Sequence, residues 1–402
     1  MSKGKFNAYF NGIKSDLRQE VLQISGMVEG SMPFKYLGVP IKTTRLKLQD
    51  CKPLIDKIVQ KIRNLGARKL SYAGRLVLVQ SVLNTLYNYW ASMFILPQGV
   101  INKIESICRN FLWDGGVDYK RTPLISWEKI CKPKIEGGLG LKQDTLWNQT
   151  AVGKLVWWIA SKSDHLWVKW VNQIYIKGGE WLDYCPSPNS SWAWRKICQI
   201  KDILCSHYQK QVWTQDKPYS IARGYELLRT IGERLDWTAL VWNKLTIPKH
   251  GFLSWMYHHD SLNTNAKLHR LGIIEDDTYY VCGLEAESSQ HLFFECIYSK
   301  QVLQYVEILI GIPFPSQDAG NWRLAMTGTD LWKDVINAYY NACIYHIWKQ
   351  RNQAKHEHTI LHPQKLASLI GREMKTRILS SPLILMGNRD RSLVERIQQA
   401  QT

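Results

Sequence analysis

The sequence predicts a mainly α-helical protein that opens with a short mixed α/β unit. Apolar residues recur at helical spacing in long runs, first Leu54, Ile55, Ile58, Val59 and Ile62, then Leu76, Val77, Val79, Val82, Leu83 and Leu86. A third run carries Ile101, Ile104, Ile107, Cys108 and Phe111. The runs are separated at Gly66 and Pro97, residues that interrupt a helix.

The first 50 residues read as a small mixed unit, with the strand-like stretch PFKYLGVPI at 33–41 and room for a short hairpin. Pro53 suits the first turn of the first helix, and Ser71 can cap the second. Residues 51–112 thus form a bundle-like helical unit with short joints. Residues 113–144 are rich in Gly and Pro and read as loops. A helix resumes from Thr145 through LVWWIA, and residues 176–191, rich in Gly, Pro, Ser and Asn, mark a domain boundary. Short helices follow to about residue 310, then a Gly/Pro joint at 311–320. From Leu331 a long amphipathic helix sets Trp332, Val335, Ile336, Tyr339, Tyr340, Cys343, Ile344, Ile347 and Trp348 on one face. The tail after Leu361 is partly helical, and there is no fixed-period repeat.

The chain of 402 residues is 45% hydrophobic and 21% charged, which suits folded domains with real cores rather than disorder. Eighteen Trp and nineteen Tyr mostly serve core packing, with base stacking the minority use. Fifty-two Lys and Arg against 34 Asp and Glu leave a net charge of +18, a field that attracts polyanions such as RNA or DNA. Nine Cys without a dense spacing pattern fit a reducing compartment, nucleus or cytoplasm. The start has no secretory h-region, and the longest apolar stretch, Leu86 to Pro97, is too short to span a bilayer, so no membrane contact is expected.

Several phrases carry a family resemblance: PFKYLGVPI at 33–41, LSYAGRLVLVQSVLNTLYNYW at 70–90, KIESICRNFLWDG at 103–115, CKPKIEGGLGLK at 131–142 and IWKQRN at 347–352. They resemble the reverse transcriptases of plant LINE-type, non-LTR retrotransposons, and residues 242–298 resemble the zinc-binding module that follows the polymerase there. The likeness covers nearly all of residues 1–355. It implies a palm-edge remnant at 1–50, a thumb-like helical unit at 51–112 and a helical linker at 113–190. A zinc-binding-like module at 191–310 and a helical annex and tail at 321–402 would follow. In the family the palm with its paired aspartates precedes the region matched by residue 1. A ribonuclease H domain needs about 100 residues or more beyond the IWKQRN-like phrase. The chain is therefore expected to contain neither catalytic domain and to be no enzyme.

The family module resembles C-x2-C-x8-H-x4-C. Here Cys282, His291 and Cys296 keep the last three positions, while Tyr279 stands at the first. A structural zinc takes four thiolate or imidazole ligands, and a phenol is a poor replacement. Zinc is expected to bind weakly or not at all unless a residue such as His269 or His259 is recruited. In the family the thumb grips template and primer, which makes Lys61, Arg63, Arg68, Lys69 and Arg75 candidate contacts to RNA or DNA phosphates. The same cations also suit a merely solvated helix surface, and Tyr72 suits either base stacking or the core. Other groups read as structural. The resemblance places Asp276 and Asp277 in a solvent-facing loop. His258, His259 and Asp260 are helix neighbours that point apart, and His356 to His358 lack the spacing of a metalloprotease motif. Gly137, Gly138 and Gly140 shape a tight turn, not a phosphate loop. The leading expectation is a non-catalytic nucleic-acid-binding remnant with little sequence preference. The alternatives are a structural or protein-interaction scaffold, or an inert truncated fragment of a retroelement.

Overall fold

The helical periodicity is realised. A computed structural model describes residues 7–10, 12–36, 38–42, 44–65, 70–118, 122–207, 218–311 and 330–381. It is 61% helical and 4% strand, so helix exceeds strand by the wide margin expected. At the N-terminus β1 (Asn7–Ala8) pairs in parallel with β2 (Val28–Glu29), and α1 (Ser15–Ser25) connects them. The PFKYLGVPI stretch folds back on itself: β3 (Phe34–Tyr36) runs antiparallel to β4 (Val39–Ile41), with Phe34 opposite Ile41. Gly38 turns the chain at a φ of +82°, where a Cβ would be strained.

Helix α2 (Lys52–Asn64) has Pro53 in its first turn and buries Leu54, Ile58 and Ile62, one residue per turn. Ser71 caps α3 (Tyr72–Leu78) by accepting a hydrogen bond from the Gly74 amide at 3.3 Å. A π-helical turn, Val79–Leu83, carries this helix into α4 (Asn84–Met93). Helix α5 (Gln98–Asp114) follows Pro97 and ends at Gly115 in the left-handed conformation. The chain continues through α6 (Trp127–Ile130), α7 (Asp144–Ala160), α8 (Leu166–Val171), α9 (Trp192–Cys205) and α10 (Ile221–Leu228). Helices α7 to α9 enclose a small core in which Tyr175 stacks on Trp194 at 4.4 Å and Trp181 packs beside them.

The remaining helices are α11 (Thr238–Val241), α12 (Pro248–His258), α13 (Asn265–Arg270), α14 (Ile297–Ile310), α15 (Asp330–Glu357) and α16 (Pro363–Leu379). Here the structure departs from the sequence pattern. The long helix α15 does not offer one apolar face: every residue from Val335 to Ile344 is buried, because α11, α12, α14 and α16 pack around it. The amide nitrogen of the buried Asn341 finds partners on its own helix and on a neighbour. Asn341 Nδ2 donates to the Leu240 carbonyl at 2.8 Å and to that of Asn337 at 2.6 Å. The larger core is shared between residues 39–141 and 240–378. Phe252 of α12 joins the two parts, stacking on Tyr72 at 5.4 Å and meeting Trp113 edge-on at 6.2 Å.

The glycine turn forms part of that junction. A Cβ on Gly138 would lie 1.9 Å from the Lys132 carbonyl oxygen, so only glycine fits. The carbonyl of Gly137 accepts from Trp255 Nε1 at 2.8 Å and contacts His259 Nε2 at 2.7 Å. All nine cysteines are free thiols. Among the described residues no helix is long and apolar enough to cross a membrane.

Asp144 starts α7 at a buried point. Burial, reinforced by the negative charge of Glu105, raises its carboxyl to about 8. The unfolded value lies near 3.9, so between about pH 4 and 8 the folded state holds a proton that the unfolded state has lost. Stability from this group is therefore present at low pH and falls as pH rises through that window. Asp144→Asn is expected to raise the melting temperature at pH 8 and to change it little at pH 4, a difference read by paired thermal melts.

Candidate metal centre and basic surface

The candidate metal centre is built on a tight loop. Thr278 bridges to Ala286 in an antiparallel sense, the Tyr279 amide donates to the Glu285 carbonyl at 2.8 Å, and the Gly283 amide donates to the Tyr279 carbonyl at 2.8 Å. This fold-back presents Cys282. His291 opens a π-helical turn, His291–Glu295, and Cys296 stands at the N-terminus of α14. The turn is anchored by Leu292 and Phe293, both fully buried.

The structure brings together all three residues that the sequence singled out. The donor atoms of Cys282, His291 and Cys296 lie within 4.8 Å of one another, with Cys282 Sγ 3.4 Å from His291 Nε2. In a tetrahedral zinc site the sulfur–nitrogen edge is about 3.6 Å, so this spacing suits the ion. Burial pushes the Cys296 thiol up to about 11, against the opposing pull of the Tyr298 and Ser299 amides. Glu285 approaches His291 Nδ1 to 2.9 Å, although the pair lacks the alignment of a hydrogen bond. A carboxylate there can orient the ring for metal binding.

The fourth position does not fit. Tyr279 is fully buried, its ring edge-on to His291 at 5.9 Å, and burial pushes its phenol far up, so a phenolate ligand is not on offer. Its hydroxyl has no hydrogen-bond partner among the described residues. The suggested recruits are not in place. His259 is engaged with the Gly137 carbonyl, and His269 is exposed in the last turn of α13. The geometry thus holds three zinc donors and a tyrosine where a fourth would stand.

Sequence reasoning missed the group that fixes this loop. Glu287 is fully buried, and Arg351 of α15 donates to it from Nε at 2.9 Å and 3.0 Å. Arg351 also donates to Asn265 Oδ1 at 3.1 Å, and Glu287 accepts from the Asn265 amide at 3.0 Å. The available signal was the phrase IWKQRN, which contains Arg351.

The basic candidates separate. Lys61 and Arg63 are exposed in the last turn of α2, while Arg68 and Lys69 lie outside the described residues. Arg75 departs from the expectation of a surface cation. It is 8% exposed and donates to the Leu112 and Trp113 carbonyls at 3.3 and 3.2 Å, in the last turn of α5. There it satisfies carbonyls that the helix leaves without partners. Tyr72 is a packing residue, set against Phe252 and Trp113. Asp276 accepts from the Thr278 amide at 2.9 Å in an exposed turn, and His258 lies flat on Trp237 at 4.7 Å.

Residues 219–302 match the family described as zinc-binding in reverse transcriptase, a span that takes in the loop and all three donors. Over this span the chain is similar to the zinc-binding module of reverse transcriptases. An Arabidopsis thaliana protein named, provisionally, as a ribonuclease H protein is 28% identical over 173 residues, which is 41% of this chain and 27% of that protein. An uncharacterized mitochondrial protein of the same plant is 25% identical over 146 residues, 36% of this chain and 82% of its own length. The chain therefore matches about a quarter of the first of these relatives. Together the matches relate it to the reverse transcriptases of retrotransposons.

Removing the partner of a buried charge leaves the other uncompensated, at a cost of about 3–5 kcal/mol. Arg351→Ala is expected to destabilise the protein on that scale, in a denaturant titration, and far more than Arg63→Ala at the surface. Tyr279→Cys is expected to tighten zinc by restoring a fourth thiolate. Competition against a graded chelator, with elemental analysis of both forms, measures the difference.

Proposed function

We propose that the chain is a non-catalytic, nucleic-acid-binding part of a LINE-type retrotransposon reverse transcriptase, contacting RNA or DNA phosphates through a thumb-like basic surface. The observation that carries this reading is the division of α2. Leu54, Ile58 and Ile62 face the core, while Lys57, Lys61 and Arg63 are exposed beside a single acid, Asp56. Cations fixed on a packed helix suit backbone contact, and the net charge of +18 draws a polyanion to them. The cysteine–histidine loop holds zinc weakly in this reading, as a structural ion with an incomplete protein ligand set. Asp276 and Asp277 take no part in polymerase chemistry.

The test is binding of labelled RNA, duplex DNA and RNA–DNA hybrid across a salt series. Affinity should fall steeply with salt, and Lys61→Ala with Arg63→Ala should flatten the slope of log affinity against log salt by about two units. Loss should be similar on all three probes, because phosphate contacts carry no base preference. Arg75→Ala should instead lower the melting temperature. The same preparation should neither extend a primer nor cleave a hybrid with magnesium or manganese. Equal binding by the original and the doubly substituted protein would replace this reading with that of a scaffold. Such a role would draw on α1, which buries no residue and leaves Leu17, Val21 and Ile24 exposed.

A further inference from the structure

Three helices converge on a second set of donor atoms, made of other residues than the cysteine loop. His250 comes from α12, His346 from α15 and Glu373 from α16, and their donor atoms lie within 4.8 Å of one another. His346 Nε2 is 2.6 Å from Glu373 Oε2, and His250 Nε2 is 3.5 Å from the same oxygen. Lys249 Nζ holds the other carboxylate oxygen at 2.8 Å. Lys249 and His346 therefore account for Glu373, but they leave His250 unexplained. Its ring is fully buried, and neither nitrogen has an aligned hydrogen-bond partner among the described residues. Burying an imidazole in that condition is costly, and native cores rarely contain one.

We propose that His250, His346 and Glu373 form a metal site for a divalent cation of the zinc type, joining α12, α15 and α16. Two imidazoles and one carboxylate are a ligand set that suits zinc. An ion between them gives His250 Nε2, which only approaches Glu373 without an aligned hydrogen bond, a partner. The nitrogen–oxygen edge of a tetrahedral site is about 3.4 Å. The His250–Glu373 pair already has this spacing, and the His346–Glu373 pair reaches it by opening about 0.8 Å. Lys249, bound to the outer oxygen, leaves Oε2 turned toward the histidines. No sequence motif marks the site, since its residues lie on three helices and meet only in the fold.

Zinc is the probe. The full chain is loaded with zinc, dialysed, and examined by elemental analysis and zinc-edge X-ray absorption, which separates sulfur from nitrogen and oxygen ligands. The double variant Cys282→Ser with Cys296→Ser should keep one ion, in a shell without sulfur. Adding His250→Gln or Glu373→Gln should weaken that ion at least tenfold against a chelator. In the otherwise unchanged chain, each of these single variants should remove the sulfur-free ion while leaving any sulfur-ligated zinc. This arm stands even where the double serine variant does not fold. The proposal is overturned if zinc binds only with sulfur in its shell, or if His250→Gln changes neither zinc content nor the effect of zinc on melting.

Discussion

The contact between Arg351 and Glu287 is the constraint on which the C-terminal half depends. Both side chains are withdrawn from water, at 4% and 0% exposure, so each is tolerable only because the other is there. The guanidinium fork spans the carboxylate, and Asn265 takes up a remaining donor. Glu287 lies between Cys282 and His291 in the chain, and its amide donates to the Asp277 carbonyl at 2.7 Å. Holding this one carboxylate therefore holds the fold-back of the cysteine loop against α15. The candidate zinc site is positioned by a buried ion pair as well as by its own ligands.

That arrangement needs α15 at the centre. A helix with a single apolar face lies on the outside of a core, whereas α15 is enclosed through ten consecutive buried residues, Val335 to Ile344. The enclosing helices bring their own polar groups to it, and two consequences follow. Asn341 becomes a bridge to the Leu240 carbonyl, and His346 meets residues from α12 and α16. The same enclosure unites the early helices with the late ones, since Phe252 on α12 packs against Tyr72 and Trp113. A division of the chain by its loops would not show this shared core.

Cations of the same kind serve opposite ends in this fold. Lys61 and Arg63 stand on the outer face of α2 because Leu54, Ile58 and Ile62 take the inner one. Arg75 sits on a helix that packs closely against α5, and its guanidinium finds two terminal carbonyls there. Its charge is spent on the protein's own backbone rather than on a phosphate. Lys201 behaves similarly, donating to the Leu182 and Tyr184 carbonyls at 3.0 and 2.7 Å. A net charge counts such residues equally, although only the exposed ones are placed to touch a phosphate directly.

The sequence by itself determined the helical class, the three helical runs of residues 52–114, the N-terminal hairpin and the trio of Cys282, His291 and Cys296. These are local properties: apolar period, proline and glycine punctuation, and ligand spacing within fifteen residues, all written in neighbouring side chains. Only the tertiary structure decided that α15 is enclosed, that Arg75 is a helix-terminal donor and that Tyr279 fills the core. It alone paired Arg351 with Glu287 across 64 residues and gathered His250, His346 and Glu373. Each of these depends on which helix packs against which. Apolar periodicity tells how a helix is buried but not by what, so a contact between distant elements leaves no regular trace along the chain.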